Sequence, residues 1–361
     1  MKRAVRGDRL ARPAIVLLAL ALDLWWGDPP NRFHPVVWMG ALIGRLSRTE
    51  TPVAHWRRRF LRGLLVGLGG GAGVGLLGMW AERLLACAPW PLSWLLQAVL
   101  LKSTLACHGL VAAAREVEGA LAAGNLPEAR RLLAWHLVSR DTAALDGADV
   151  AAAVIESIAE NTSDAVVAPI CAYAAGGLGA ALAYRYANTA DAMLGYRDAE
   201  REWLGKAPAR LDDLFNLVPA RVTACLLLLA AWLRREDWRA AWRVWRRDAG
   251  KTASPNAGHP MSAMAGALRV ELAKPGHYVL GAGYARPTPH DITRAIRLLH
   301  MASGIIGGCA ALLCLGRWRA IKAPCLHGRQ GTPCFGEGLL GEARRLRRHY
   351  GRHEHNMDRF F

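Results

Sequence analysis

Residues 156–184 read ESIAENTSDAVVAPICAYAAGGLGAALAY and combine the two patterns that decide the fold. The first nine residues carry Glu156, Glu160 and Asp164 at four-residue intervals, which on a helix places the three carboxylates on one face. The next twenty residues, 165–184, contain no charged side chain. About 20 apolar residues are enough for a helix to cross the hydrocarbon core of a membrane. The stretch therefore predicts acidic side chains at the edge of a transmembrane helix.

The composition of the whole chain also favours a membrane protein. Of its 361 residues, 53% are hydrophobic, and yet the formal net charge is +17. Apolar spans that face lipid account for the first value, and Lys and Arg in cytoplasmic loops and beside anionic lipid headgroups account for the second. A nucleic-acid-binding protein is the alternative. The basic clusters flank apolar runs instead of forming one face, so we expect no nucleic-acid partner.

The lengths of the apolar runs predict an all-α fold, a polytopic membrane helical bundle with amphipathic or interfacial helices and cytoplasmic helices. The candidate spans are residues 63–80, 91–107, 165–184, 217–233 and 295–315. Residues 13–26 are apolar but short for a crossing, which predicts a re-entrant or interfacial segment. No strand-like alternation of any length is found. In the first span glycine recurs every four residues from Gly63 to Gly75, which predicts close helix packing.

Two polar segments lie between the candidate spans. Residues 108–155 show helical periodicity that is interrupted at Gly124-Asn125, which predicts a polar helical hairpin. Residues 234–250 predict an interfacial helix, with three Trp side chains in the headgroup region and Arg side chains toward anionic lipid. The alternative for this helix is a soluble one whose Trp face belongs to the core. We treat residues 1–320 as one domain and residues 321–361 as a basic C-terminal tail.

Polar clusters rich in Asp, Asn and Arg recur close to the apolar runs. Ionisable groups at membrane depth are costly and usually functional, so these clusters together predict one assembled polar pocket. The acidic stripe needs a cation because like charges at this spacing repel, and Mg²⁺ is the natural choice. A solvated polar face is the alternative. Gly250-Lys251-Thr252 is similar to the end of a P-loop, but Trp245 replaces the first glycine of that motif, so no standard P-loop exists.

Six collinear blocks between residues 22 and 315 closely resemble the CobD/CbiB family, the adenosylcobinamide-phosphate synthases of cobalamin biosynthesis. The blocks are LDLWWGDPPNRFHPVVWMG, SRDT, ESIAENTSDAVVAPI, YRYANTADAMLGY, ARLDDLFNLVPARVTA and SPNAGHPMSAMAGAL. The sequence departs from the family pattern at Ser139, where glycine is usual, and after Asp164, where a glycine would be expected. Neither departure removes a charged group.

The resemblance implies an integral inner-membrane enzyme whose active site faces the cytoplasm. Such an enzyme joins the propionate carboxylate of adenosylcobyric acid to the amine of (R)-1-amino-2-propanol or its O-phosphate. ATP drives the reaction, and the product is adenosylcobinamide or its phosphate. Anionic membrane lipids and other membrane enzymes of nucleotide-loop assembly are the candidate partners.

This chemistry suggests roles for the polar residues. Mg²⁺ is assigned to Glu156, Glu160 and Asp164, with Asp191 as a further ligand. His34, His259 or Asp213 could serve as the base that keeps the amine unprotonated. The candidates for binding substrate and phosphate groups are Arg140, Arg185, Asn188, Arg210, Asp212, Asn216, Arg221, Lys251 and Asn256.

One topological difficulty follows from residues 165–184. If they cross the membrane as a straight helix, Asp164 and residues 188–213 lie on opposite sides, whereas ATP is found only in the cytoplasm. Either Pro169 and Gly176-Gly177 bend the segment back, or the polar groups lie inside the bundle in a cytoplasm-facing cavity. The cavity is the preferred hypothesis.

Two other functions fit the same composition. A non-enzymatic, AmpE-like membrane signalling protein is the first, and the near-complete set of motifs argues against it. A transporter with a polar site at mid-membrane is the second. It predicts inverted repeats, and the sequence shows none.

Overall fold

The computed structural model describes residues 2–28, 30–48, 55–195 and 201–326, which are almost entirely helical. In chain order the helices of this part are α1 Lys2–Trp26, α2 Pro35–Ser47, α3 Trp56–Leu64, α4 Gly70–Leu85, α5 Trp90–Lys102, α6 Cys107–Ala122, α7 Leu126–His136, α8 Gly147–Thr162, α9 Ala168–Leu194, α10 Glu202–Leu233, α11 Trp238–Asp248, α12 Gly258–Leu268 and α13 Pro289–Leu326. π-Helical turns at Leu65–Gly69 and Ser163–Val167 connect α3 to α4 and α8 to α9. The predicted all-α fold is confirmed.

One small β-hairpin departs from the prediction that no strands occur. Strands β1 Leu272–Lys274 and β2 Tyr278–Leu280 pair antiparallel, with Leu272 opposite Leu280. Strands of three residues are too short to show an alternating pattern. Pro275-Gly276 in the turn was the available signal, and Gly276 has a positive φ of 75°.

Four of the five predicted spans lie within a single stretch that is long and apolar enough to cross a membrane, and the fifth, 91–107, falls on a bent helix pair. In the described residues four single stretches meet this test, and the bent pair α5–α6, with an angle of 43°, could form a fifth. The four are Trp56–Leu85, Gly147–Leu194, Glu202–Leu233 and Pro289–Leu315. Large apolar side chains such as Leu65, Val218 and Leu312 remain more than 60% exposed on their outer surfaces. Such a surface suits lipid.

The segment 13–26 belongs to a longer helix than its apolar run suggested. Helix α1 has 25 residues, and Ile15, Val16 and Ala19 are buried in the core. The predicted polar hairpin is present as α6 and α7, where Asn125 accepts a hydrogen bond from the backbone N–H of Glu128 at 3.2 Å. The hairpin ends at His136, however, and residues 150–159 are buried within α8 because they are rich in Ala, Val and Ile.

The glycine stripe of the first span packs as predicted. A Cβ atom at Gly63 would collide with the backbone carbonyl of Leu204 on α10, and one at Gly75 would lie only 3.2 Å from the Cβ atom of Ala183 on α9. Glycine therefore lets α3 and α4 approach both neighbours at backbone distance.

Helix α9 reverses its direction at Gly177. Gly177 has φ 73° and ψ −160°, a conformation essentially restricted to glycine. The hydroxyl of Tyr184 donates to the carbonyl oxygen of Asp164 at 3.2 Å, whereas a straight helix would separate these residues by about 30 Å. The carboxylate of Glu82 on α4 accepts from the backbone N–H of Leu178 at 3.0 Å and caps the second half. A straight crossing over residues 165–184 is therefore replaced by a helical hairpin.

Helix α11 has the surface that was predicted for an interfacial helix, but it is shorter than residues 234–250. Its buried face consists of small residues, Ala240, Ala241 and Val244. Trp238 and Trp242 are 41% and 44% exposed, so the alternative of a Trp core face is wrong for these two side chains. Trp245 is half-buried and points elsewhere, because its indole N–H donates to His259 at 2.9 Å.

The chain divides into two units, Met1–Leu315 and Gly316–Phe361. The predicted tail, 321–361, belongs to the second unit. Helix α13 continues to Leu326, and residues 327–361 lie outside the described part of the chain.

Candidate functional site

A cavity of about 460 Å³ lies where the π-helical turn after α8, the second half of α9, α10, the loop before α12 and the β-hairpin meet. We call it the central cavity. Seven of the side chains predicted from the sequence line it, namely Glu160, Asp164, Asp191, Asp212, Asp213, Asn216 and Asn256. The reversal at Gly177 brings Asp164 and Asp191 to the same cavity. The segment therefore bends back, and its polar groups line one cavity. The opening of this cavity to the cytoplasm stays a prediction.

Asp212 is held in place by two amides. Asn188 on α9 donates to one carboxylate oxygen of Asp212 at 3.3 Å, and Asn216, one turn further along α10, donates to the other at 3.0 Å. Asn216 in turn accepts from the hydroxyl of Tyr184 at 3.0 Å. Arg185 donates to Asn188 at 3.3 Å. Four residues of α9 and α10 thus fix the orientation of this carboxylate.

The central cavity carries more negative than positive charge. Five carboxylates line it, and the cations among its lining residues are Lys274 and, when protonated, His277. Asp164 lies close enough to Glu160, Asp191 and Asp212 to be repelled by them, and Arg185 is its attractive neighbour. A cavity of this charge suits a cation or a metal-bound phosphate.

The predicted Mg²⁺ ligands do not form a complete metal cage. No group of three or more His, Cys, Asp or Glu side chains in the described ranges is arranged to hold a metal ion. Mg²⁺ commonly takes only one or two carboxylates together with substrate phosphates. The oxygen donors Glu160, Asp164, Asp191 and Asp212 fit a site of this kind, in which substrate phosphates complete the coordination.

Glu156 lies in a different cavity from Asp164. This Glu156 pocket, of about 210 Å³, is lined by Ser139, Arg140, Glu156, Ser157, Glu160, Asn161, Lys274 and Tyr278 among others. Successive four-residue steps on a helix each advance about 40°, so residues 156 and 164 differ by about 80° in direction. The stripe therefore divides, with Glu160 in the wall that both cavities share. Arg140 approaches Glu156 to 3.8 Å.

A third cavity, the basic annex, adjoins the central cavity at Asp213. It measures about 360 Å³ and is lined by Lys206 and Arg210, among others. Arg210 is 3.9 Å from Asp213. Lys206 was missed by the sequence analysis because it lies outside the polar clusters that were considered. Glu202 also lines the annex and lies 3.8 Å from Lys206, so the two cations of the annex each have a carboxylate neighbour.

Lys251 is not among the residues that line the three cavities. It is 2.6 Å from the buried carboxylate of Asp248, which also accepts two hydrogen bonds from Arg247 and one from the backbone N–H of Gly281, all at 2.8 Å. We call this arrangement the Asp248 cluster. Burial alone would raise the pKa of Asp248, but these donors lower it to about 2. Lys251 is therefore a structural ion-pair partner of Asp248.

The two histidines proposed as bases also lie elsewhere. His34 caps α2 by accepting from the backbone N–H of Val36 at 3.2 Å, and its other ring nitrogen is 3.4 Å from Asp28. Burial and the nearby Arg221 lower the pKa of His259, whose Nδ1 accepts from Trp245. His277 is the imidazole that lines the central cavity.

Arg221 touches the wall of the central cavity from outside. It donates to the carbonyl of Leu217 at 2.7 Å and to the side chain of Asn256 at 3.4 Å. Asn256 donates to the carbonyl of Asp213 at 2.7 Å. Arg221 therefore helps to place Asn256 and connects the loop before α12 to α10.

Sequence reasoning missed the cavity residues on the β-hairpin. Lys274 and His277 flank the Pro275-Gly276 turn, and both line the central cavity. The sequence KPGH carried a turn signal with a cation on each side. Because no strand was predicted on either side of it, the position of that turn beside α8 and α10 could not be predicted.

Comparison with known proteins gives a consistent result. Residues 16–299 match the model of the family described as CobD/Cbib protein. The chain is 40% identical over 277 residues to the probable cobalamin biosynthesis protein CobD of Methanothermobacter thermautotrophicus, covering 75% of this chain and 88% of the relative. It is 40% identical over 311 residues to the cobalamin biosynthesis protein CobD of Geobacter metallireducens, covering 83% and 96%. No solved structure matches the chain.

Proposed function

The chain belongs to the CobD/Cbib family of cobalamin biosynthesis proteins, and from this premise we propose that it is an ATP-dependent acid–amine ligase. The reaction joins the propionate carboxylate of adenosylcobyric acid to the amine of (R)-1-amino-2-propanol or its O-phosphate. The product is adenosylcobinamide or its phosphate.

The observation that carries the proposal is the convergence of seven sequence-predicted polar side chains on the central cavity. They come from α8, the π-helical turn after it, α9, α10 and the loop before α12, over nearly one hundred residues of sequence. Burying five carboxylates near one another is unfavourable unless a ligand compensates their charge. The Mg²⁺ that accompanies a nucleotide supplies the positive charge, and the phosphate oxygens of the nucleotide complete its oxygen ligands.

The condensation needs an activated carboxylate, because a free carboxylate does not react with an amine in water. ATP supplies the activation, most simply as an acyl phosphate. The new C–N bond then forms as the C–O bond to the phosphate breaks, and the nitrogen gives up a proton. Asp213 lines the cavity and can accept that proton. Lys274, together with Lys206 and Arg210 of the basic annex, can contact phosphate oxygens.

One or two carboxylates of the set Glu160, Asp164, Asp191 and Asp212 would hold Mg²⁺ that arrives with the nucleotide, and the phosphates would supply further ligands. When bound, Mg²⁺ neutralises phosphate charge and orients the phosphate groups. Asn188 and Asn216 keep Asp212 oriented toward its ligand through the two hydrogen bonds described above.

The protein is placed by this proposal in the inner membrane, with the central cavity open to the cytoplasm, where ATP is found. The helical hairpin at Gly177 supports this arrangement because it returns Asp191 to the level of Asp164. Polar groups at membrane depth are tolerated where they line such a cavity.

The test is amide synthesis by the purified full-length protein in lipid nanodiscs. The reaction contains adenosylcobyric acid, (R)-1-amino-2-propanol O-phosphate, Mg²⁺ and ATP, and the amide is measured by mass spectrometry. The expected product requires ATP and falls by about 10²–10³-fold in Glu160→Ala and Asp164→Ala. Glu128→Gln is the control, since Glu128 is an exposed partner of Arg131 on α7.

Two results would contradict the proposal. Wild-type protein that binds its substrates but forms no amide would exclude the ligase. Full ATP-dependent synthesis in both alanine variants would exclude the central cavity as its site.

A further inference from the structure

The Glu156 pocket contains a carboxylate oxygen that lacks a hydrogen-bond partner. Glu156 is only 7% exposed, and its Oε1 atom accepts no hydrogen bond from the described residues. A buried carboxylate oxygen in this state is unfavourable. The unpaired atom therefore marks a position that a hydrogen-bond donor of a ligand can occupy.

Cationic and hydroxyl groups surround the same pocket. Arg140 lies 3.8 Å from the other oxygen of Glu156, and Lys274 is close enough to interact with both Glu156 and Glu160. Tyr278 lines the pocket, and its phenol group is a hydrogen-bonding neighbour of the Glu156 carboxylate. A ligand that carries an ammonium group and an anionic group at a short distance from each other would satisfy both sets of charges.

The size of the pocket and its position limit that ligand further. The volume of about 210 Å³ admits only a small molecule. Glu160 and Lys274 also line the central cavity. A ligand held beside Glu156 is therefore adjacent to the cavity in which the carboxylate substrate is activated.

We propose that the Glu156 pocket is the subsite for the amine donor, an inference that rests on the proposed function. Glu156 accepts hydrogen bonds from the ammonium group, and Arg140 and Lys274 bind the phosphate. A phosphate monoester carries a charge of about −1.5 to −2 at neutral pH, which matches two cations better than a hydroxyl group does. Glu156 is then a recognition residue for substrate instead of a metal ligand.

The test is equilibrium binding to the purified full-length protein in nanodiscs, without ATP or corrinoid. The probes are (R)-1-amino-2-propanol O-phosphate, the same amino alcohol without phosphate, and isopropyl phosphate, which lacks the amine. Wild-type protein should bind the complete donor at least about tenfold more tightly than either truncated probe.

Two variants test which side chain binds the ammonium group of the donor and which binds its phosphate. Glu156→Gln should weaken binding of the complete donor by about tenfold or more and leave isopropyl phosphate within about twofold. Arg140→Gln should weaken both phosphate-containing probes and leave the free amino alcohol within about twofold. Glu128→Gln on α7 should bind all three probes as wild type does.

Equal weakening of isopropyl phosphate and the complete donor by Glu156→Gln would overturn the assignment. Wild-type protein that binds the free amino alcohol as tightly as its phosphate would also overturn it, and this comparison decides the matter even if a variant does not fold. If the binding pattern is found but no amide forms with any donor, the proposed function fails and the subsite stands. If amide forms without this binding pattern, the subsite fails alone.

Discussion

Two acidic regions of this protein use the same residue types and differ in how their charges are paired. In the Asp248 cluster one buried carboxylate accepts from Arg247, Lys251 and the backbone of Gly281 at 2.6–2.8 Å. In the central cavity five carboxylates face few cations, and Asp212 is hydrogen-bonded by neutral amides. Of the Asp248 cluster, Lys251 alone was predicted from the sequence as part of the functional pocket.

The difference shows which kind of polar cluster is available for function. The Asp248 carboxylate already has all the donors that it can use, so a ligand would gain little there. In the central cavity Asp164 is close enough to Glu160, Asp191 and Asp212 to be repelled by them, so a cationic ligand gains a great deal. Substitutions in the cavity should change activity, and substitutions in the cluster should change stability.

The largest expected effect is on catalysis by Asp212→Asn. The substitution keeps the shape of the side chain and removes one charge from the cavity, so amide synthesis should fall by about 10²–10³-fold. The unfolding midpoint should change little, because the decreased repulsion among the carboxylates offsets the loss of one of the two amide hydrogen bonds to this side chain. Initial rates and thermal unfolding are measured on the same preparation. A clear loss of stability would show that Asp212 has a structural role, as Asp248 does.

A second large effect is expected from Gly177→Ala. A side chain in this backbone conformation costs about 1–3 kcal/mol, and the new Cβ atom would collide with the carboxylate of Glu82. Amide synthesis should fall at least about tenfold, because the altered reversal would no longer hold Asp164 and Asp191 in their positions at the central cavity. Gly73→Ala is the matched control, since a Cβ atom at Gly73 on α4 meets nothing within 4 Å. A Gly177→Ala protein with wild-type activity would show that the reversal is unimportant.

Asp248→Asn should show the opposite pattern to Asp212→Asn. Removing the buried charge leaves Arg247 and Lys251 without their partner, although both can turn toward solvent, so we expect a loss of about 2–3 kcal/mol in the free energy of unfolding. The rate of amide synthesis per folded molecule should stay within about twofold of wild type. A selective loss of activity without loss of stability would place Asp248 in the reaction.

Acid should weaken the Asp248 cluster in a defined pH window. The folded-state pKa is about 2, below the ordinary value of 3.8, so the stabilisation is present above pH 4 and is lost as the pH falls from about 4 to 2. Its size is about 2 kcal/mol. Unfolding followed between pH 5 and pH 3 should show a steeper decline for wild type than for Asp248→Asn. Parallel curves would mean that Asp248 does not contribute.

The smallest effect is expected from Lys251→Ala. Lys251 is partly exposed, with 41% of its side chain accessible, and it contributes one of several donors to Asp248. The loss of stability should therefore be about 1 kcal/mol or less, and the KM for ATP should not change. A rise of about tenfold in that KM would restore the sequence-based prediction that Lys251 binds phosphate.

The sequence was sufficient for the helices and for much of the central cavity. Apolar length located the spans because a membrane imposes a minimum length on a crossing helix. The clusters containing Asp164, Asp191 and Asp212 indicated a common pocket because charges near apolar runs need a shared partner.

Other features depend on contacts between distant parts of the chain. The choice between a straight and a reversed segment at Gly177 depends on Glu82, which lies on another helix. His259 was grouped with the cavity because its partner, Trp245, lies fourteen residues away. Asp248 lies only three residues from Lys251, but the burial that makes it a strong partner depends on the fold.

The most direct test of the account compares Asp212→Asn and Asp248→Asn in one experiment. Amide synthesis and the unfolding midpoint are measured on the same nanodisc preparations, with wild type alongside. We predict that Asp212→Asn is folded and nearly inactive, whereas Asp248→Asn is active and less stable. ATP-dependent synthesis at the wild-type rate by Asp212→Asn would contradict the claim that the uncompensated carboxylates of the central cavity carry the reaction.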